Sequence, residues 1–260
     1  MLGLLYCVLY VVVGRERNVA DLLMTLNLRS LLLPVLVLSL ALTAAVHWSR
    51  GNTHAAANVY VALGASDAVG MGADRPDVEG WVPRVHAGLP PGTHLLNLGI
   101  SGATLGDVLR EEMPPALDAG PYLITIWPGV NDLRAGVDLQ TFSRQLDTLL
   151  GNFSRPASGN GARHPTMLVL NIPDLRHLPA FTGVDRAALD TTVRAWNAAI
   201  ASIARRHGAI LVDLYAHDPE FAGHPEYISA DGFHPSSAGY QRIAGFALDA
   251  LHQHVSSLVP

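Results

Sequence analysis

Val59-Tyr60-Val61-Ala62-Leu63 runs straight into Gly64-Ala65-Ser66-Asp67-Ala68-Val69-Gly70. A short, continuous apolar run that stops at a polar, glycine-bracketed turn reads as a strand buried on both faces. The pattern recurs outward from there. His94–Leu98 leads into Gly99-Ile100-Ser101-Gly102-Ala103-Thr104, and Leu123–Trp127 leads into Pro128-Gly129-Val130-Asn131-Asp132. Met167–Asn171 and Ala209–Asp213 supply two more strands. Helices are expected between them. Thr104–Glu112 follows a glycine-rich turn. Asp138–Leu150 begins with an Asp cap and ends before Gly151. Asp185–His207 carries Leu189, Val193, Trp196, Ile200 and Ile203 on one face and stops before Gly208. A last helix is expected to follow Pro235 and to run to about His254. Strands alternating with helices predict an α/β fold, with a five-stranded parallel sheet and helices on both faces. Asn152–Pro165, rich in Gly, Ser, Asn and Pro, reads as a surface loop.

In an open parallel sheet the functional loops leave the carboxyl ends of the strands. The turns after the first three strands therefore share one edge. Near the chain end, Asp231-Gly232-Phe233-His234-Pro235 precedes the last helix. Together these segments hold an acyl-transfer set. A Ser hydroxyl (Ser66) is a weak nucleophile until a base takes its proton. A neutral His (His234) is the usual base near neutral pH. An Asp (Asp231) on the other ring nitrogen fixes the tautomer. Pro235 keeps His234 out of the α region, so the pair belongs to a fixed loop. Oxyanion donors are also required. The candidates are the Ser66 N–H, the Gly102 N–H, where a missing side chain permits close approach, and the Asn131 amide.

Four blocks in order, over about 200 residues, resemble the SGNH hydrolases, or GDSL esterases and lipases. The family's Gly-Asp-Ser-Leu block corresponds to Gly64-Ala65-Ser66-Asp67, its second-block Gly to Gly102, its Gly-Xaa-Asn-Asp to Gly129-Val130-Asn131-Asp132, and its Asp-Xaa-Xaa-His-Pro to Asp231–Pro235. The resemblance implies a flavodoxin-like three-layer sandwich and a Ser66–His234–Asp231 triad. It also implies an oxyanion hole from Ser66, Gly102 and Asn131, and hydrolysis of esters or thioesters without metal or cofactor. One departure stands out: Ala65 replaces the Asp before the nucleophile, and Asp67 follows it. Hydrogen bonds made by that Asp in the family are lost here or replaced. The substrate expected is a small-molecule, lipid or acetylated-glycan ester. Acyl transfer to an alcohol by the same triad is the alternative, and a catalytically silent binding module is the non-enzymatic one. The α/β-hydrolase fold fits less well, because Gly64–Ala68 lacks the second Gly of its nucleophile elbow.

Each residue also has a plainer reading. A Ser after a strand often caps a turn, and Asn131-Asp132 could serve as a turn with a helix cap. Four ordered blocks outweigh those readings taken singly. Leu175, Leu178 and Phe181 lie in the irregular stretch after the fourth strand and are candidates for an acyl-pocket wall, with packing on the long helix as the alternative. Asp174 and Asp213 are expected to be structural. His252 and His254 read as solvated helix positions, with no ligand set around them.

Composition narrows the class further. The chain has 260 residues, 49% of them hydrophobic and 15% charged, which supports a packed core and excludes global disorder. All 17 basic residues are Arg, and the net charge is -5. Four Arg and two acids lie in residues 1–57, so the acidic excess sits in the remainder. A negative body without a basic stripe argues against nucleic acid as a partner. A single Cys excludes an internal disulfide and paired-Cys zinc sites. Leu31–Val46 is uncharged, follows Arg29, and carries small residues at Thr43-Ala44-Ala45. It reads as an export signal, or as a short membrane anchor, and Met24 is a natural start for such a signal. The organisation expected is an export or anchor segment over residues 1–57, then one hydrolase domain over 58–260 outside the cytoplasm.

Overall fold

A computed structural model describes residues 58–154 and 164–254. The expected signal or anchor over residues 1–57, and most of the expected surface loop, lie outside them. No helix among the described residues is long and apolar enough to cross a membrane.

The chain begins with β1 (Val59–Leu63), followed by three short helices, α1 (Ser66–Val69), α2 (Pro76–Glu79) and α3 (Trp81–Ala87). Next come β2 (His94–Asn97), α4 (Leu105–Asp107), a π-helical turn Val108–Glu112 and α5 (Met113–Asp118). β3 (Leu123–Ile126) leads to α6 (Val130–Arg134) and α7 (Leu139–Ser154). β4 (Thr166–Leu170) leads to two 3-10 turns and α8 (Arg186–Arg206). β5 (Ile210–Val212), α9 (Asp218–Ala222) and α10 (Ser237–His254) complete the fold.

All five strands are parallel, in the order β2-β1-β3-β4-β5. This is the flavodoxin-like order, and it reverses direction between β1 and β3. The crevice above the ends of those two strands is where such a sheet binds its ligand. Alternation along β1 divides the core in two. Val61 and Leu63 pack with Ile124, Ile126 and Val169 against α7 and α8. Tyr60 and Ala62 pack with Leu123, Leu168 and Leu170 against α3 and α10. The result is the expected three-layer α/β sandwich.

Several local expectations are corrected. Helix α7 does not stop before Gly151 but continues to Ser154, because Phe153 docks in the core and Ser154 Oγ bonds back to the Leu150 carbonyl. Thr104 is not the first helical residue but the cap of α4, in a reciprocal capping box with Asp107. Pro235 precedes the last helix, as expected. It sits in an antiparallel bridge with Ile228, and α10 starts at Ser237, with Ser236 Oγ accepting the Gly239 amide. The short helix α3 was not anticipated, since Pro83 interrupts its sequence. It forms because Pro is tolerated in a first turn and because Trp81, Val82 and Val85 are all fully buried, each contributing about 1.5–3 kcal/mol through that burial.

Candidate active site

Ser66 is the first residue of α1, at the carboxyl end of β1, and is only 8% exposed. His234 and Asp231 lie in the loop before α10. That loop is a closed turn in which the Ser229 N–H donates to the His234 carbonyl at 2.9 Å and the Gly232 N–H to the Ser229 carbonyl at 3.0 Å. Asp231 Oδ1 holds the turn from inside, accepting from Ser229 Oγ at 2.7 Å, the Phe233 N–H at 2.8 Å and the His234 N–H at 2.9 Å. Its second oxygen, Oδ2, accepts from His234 Nδ1 at 2.6 Å. With Nδ1 donating, Nε2 is left to accept, and it stands 2.8 Å from Ser66 Oγ. The three side chains expected to act together therefore meet, across 168 residues of chain.

Burial pushes the Asp231 carboxyl up, but the hydrogen bonds from His234, Ser229 and Phe233 outweigh it and hold the group well below the usual carboxylate range. Asp231 is therefore an anion that orients an imidazole through mildly acidic pH. Gly72 lies against the same loop, at φ +94°. A Cβ there would come within 2.5 Å of the Pro235 carbonyl oxygen and 2.8 Å of His234 Cβ.

Asn131 is in the first turn of α6, and its Nδ2 donates to the Ala103 carbonyl at 3.0 Å. One of its two amide hydrogens is used there, which leaves the other available. Asp132 is buried and accepts the Leu105 N–H with both oxygens, at 3.0 and 3.2 Å. That contact joins the turn after β3 to the start of α4. Gly102 is exposed at φ +84°, and a Cβ there would touch no protein atom. Its positive φ is a backbone conformation that favours glycine.

A cavity of about 220 Å³ opens at these groups. Ser66, His234 and Asn131 line it, as do Ala103 and Thr104, whereas Gly102 stands just outside in the same turn. Leu175 and Leu178 lie on its wall as expected, with Leu105, Val108 and Phe233. Phe181 does not. Its ring turns away to pack on Phe233, with 6.2 Å between centroids, so it supports the wall from behind. The contributions of Phe233 and Gly72 went unread in the sequence. Asp132 was legible as the last residue of the third block.

Among the described residues, Asp174, His177 and Asp218 have the spacing of a metal-ligand set, and all three face the cavity. Arg176 already grips both oxygens of Asp174, with Nε at 2.8 and 2.9 Å. A cation would have to compete with that guanidinium. Asp213 is structural, accepting from Asn171 Nδ2 at 2.7 Å and the Ala216 N–H at 3.1 Å. His252 and His254 lie exposed in the last turn of α10.

The sheet order and the four loops on its rim define an α/β hydrolytic scaffold of the GDSL type, and the sequence match agrees. A family model described as the GDSL-like Lipase/Acylhydrolase family matches residues 62–242, and the chain belongs to that family. A search of curated proteins gives no match. Solved structures of similar fold include the lipase/acylhydrolase from Enterococcus faecalis, 21% identical, covering 78% of this chain and 98% of that one at a TM-score of 0.58. The psychrotrophic esterase EstA from a Pseudoalteromonas species is 20% identical, covering 76% and 99% at a TM-score of 0.57. The acetylxylan esterase Axe2 from Geobacillus stearothermophilus is 20% identical, covering 75% and 94% at a TM-score of 0.56. Identities of this order carry the fold.

Proposed function

We propose that this protein is a serine esterase that hydrolyses carboxylic or thioesters through an acyl-Ser66 intermediate. The observation that carries the reading is the unbroken hydrogen-bond line from Asp231 through His234 to Ser66, at 2.6 and 2.8 Å. His234 Nε2 takes the Ser66 proton as Oγ attacks the ester carbonyl, and the imidazolium that forms is stabilised by Asp231. The amides of Ser66 and Gly102 and the free N–H of Asn131 receive the oxyanion. His234 then returns the proton to the leaving alcohol, and later activates the water that releases the acid.

The apolar wall of Leu105, Val108, Leu175, Leu178 and Phe233 suits an acyl chain. Its volume of about 220 Å³ is below that of a typical drug-sized pocket (roughly 300–1,000 Å³), which favours short and medium chains over long ones. The substrate class is therefore a small-molecule, lipid or acetylated-glycan ester. The uncharged run Leu31–Val46 supports export or membrane anchoring, with the hydrolase part outside the cytoplasm.

A fluorophosphonate probe tests the reading directly. Labelling of the native chain that is lost in Ser66→Ala is the expected result, and equal labelling of both would refute it. A panel of p-nitrophenyl esters from acetyl to palmitoyl measures chain preference. Acyl transfer uses the same groups, and ester product formed from added glycerol separates it from hydrolysis.

A further inference from the structure

Glu112 is 1% exposed, yet the mechanism above leaves it idle. It is the last residue of the π-helical turn Val108–Glu112. One wider turn inside a helix shifts the phase of the residues that follow, and such turns recur at functional sites. Here the side chain points under the carboxyl ends of β1 and β2. Where the β1 ladder ends, the Gly64 N–H donates to Glu112 Oε2 at 2.8 Å. The Gly64 carbonyl in turn accepts the Ile100 N–H at 3.0 Å. Glu112 Oε1 is buried with no hydrogen-bond partner among the described residues. A carboxyl placed so deeply costs folding free energy, and what it supplies in return is an acceptor beneath the nucleophile turn. Asp67, beside the nucleophile, and Asp107, on α4, are further acidic groups that act on it.

Gly64 lies two residues before Ser66, and Ile100 two before Gly102. These are the strands' exits toward two of the three oxyanion donors. We propose that Glu112 is a positioning residue: its buried carboxyl, bonded to Gly64, holds the two turns at the spacing at which the Ser66 and Gly102 amides address one oxyanion. The Asp that the family carries before its nucleophile is Ala65 here, and a carboxyl from another element braces the same turn. This inference rests on the esterase reading above.

The test measures turnover of p-nitrophenyl butyrate by the full chain, with kcat expressed per active site counted by fluorophosphonate labelling. Donors to an oxyanion act in the transition state, so their misplacement lowers kcat and spares KM. Glu112→Leu is expected to lower kcat per site by at least about tenfold, with KM within about twofold of native. Glu112→Gln, which keeps an acceptor oxygen, is expected to recover most of that loss. A merely structural residue would change the melting temperature and the number of active sites, but not kcat per site. Native kcat per site in Glu112→Leu, or a loss confined to KM, overturns the proposal. If that variant does not fold, Glu112→Asp withdraws the acceptor by one methylene and is judged by the same two outcomes. Ser66→Ala is assayed alongside. If it retains turnover, the esterase reading itself fails. If it is inactive while the Glu112 variants turn over at the native rate, only the present inference fails.

Discussion

The Tyr240 hydroxyl donates to the Met71 carbonyl at 2.7 Å, tying the last helix to the segment that carries Ser66. The Met71 N–H bonds back to the Ser66 carbonyl at 2.9 Å. Helix α10 follows directly on the His234 loop, so this chain of contacts holds the imidazole and the hydroxyl in one frame. Tyr240→Phe keeps the buried ring and removes the bond. It is expected to cost about 1 kcal/mol of stability and to lower kcat several-fold. Urea denaturation and steady-state assays check both.

Gly72 meets the His234 loop from the other side. Its positive φ and the 2.5 Å approach to the Pro235 carbonyl oxygen leave no room for a Cβ. Gly72→Ala should therefore push His234 away from Ser66. The expected outcome is a loss of fluorophosphonate labelling rate of more than about tenfold, since near-attack geometry is lost within 1 Å. A native labelling rate would mean that the loop shifts without consequence.

Asp231 is anionic because four donors surround it. Asp231→Asn presents the wrong partner to Nδ1, and kcat is expected to fall by about 10³–10⁴, as when a triad Asp is neutralised elsewhere. The native carboxyl sits well below its usual range. Asp231 should therefore stay charged through mild acidification and add no limb of its own to the pH–rate profile.

Leu178 and Phe181 separate wall from support. Leu178 lines the cavity, so Leu178→Ala should shift preference toward longer acyl chains. Phe181 packs on Phe233 outside it, and Phe181→Ala should lower stability by about 1–3 kcal/mol with little change in preference. The ester panel, read beside melting curves, distinguishes the two.

Burial pushes the carboxyls of Asp67 and Glu112 up to about 7. An acid whose pKa is higher in the folded chain binds more protons there than when unfolded. Its contribution to stability is fully present below its ordinary pKa and is lost as pH rises through the folded value. Stability should therefore fall between about pH 4 and pH 7, by about 1–3 kcal/mol for Glu112, and Glu112→Gln should flatten the curve. Asp107 acts the other way, held down to about 2 by Thr104 and Arg110, but its contribution is complete below this window.

The strands and the catalytic candidates were legible because their signals are local. An apolar run ending at a glycine turn marks β1 and β3, and one running into Pro173 marks β4, within a residue of their observed limits. Pro235 after His234 marks a fixed loop whatever surrounds it. The end of α7 was misplaced at Gly151, because burial of Phe153 against the core outweighs the helix propensity of one glycine. Helix α3 was hidden by Pro83 and revealed only by the packing of Trp81.

The sequence by itself determined an α/β sheet with Ser66 at its rim, a His234–Asp231 pair three residues apart, and glycine at the turns, since strand period, turn chemistry and residue spacing act over a few neighbours. Tertiary structure alone decided that Phe181 faces Phe233, that Gly72 abuts His234, and that Glu112 bonds to Gly64 across 48 residues. Those contacts depend on the phase of a π-turn and on the packing of distant elements, and neither leaves a periodic trace in the chain.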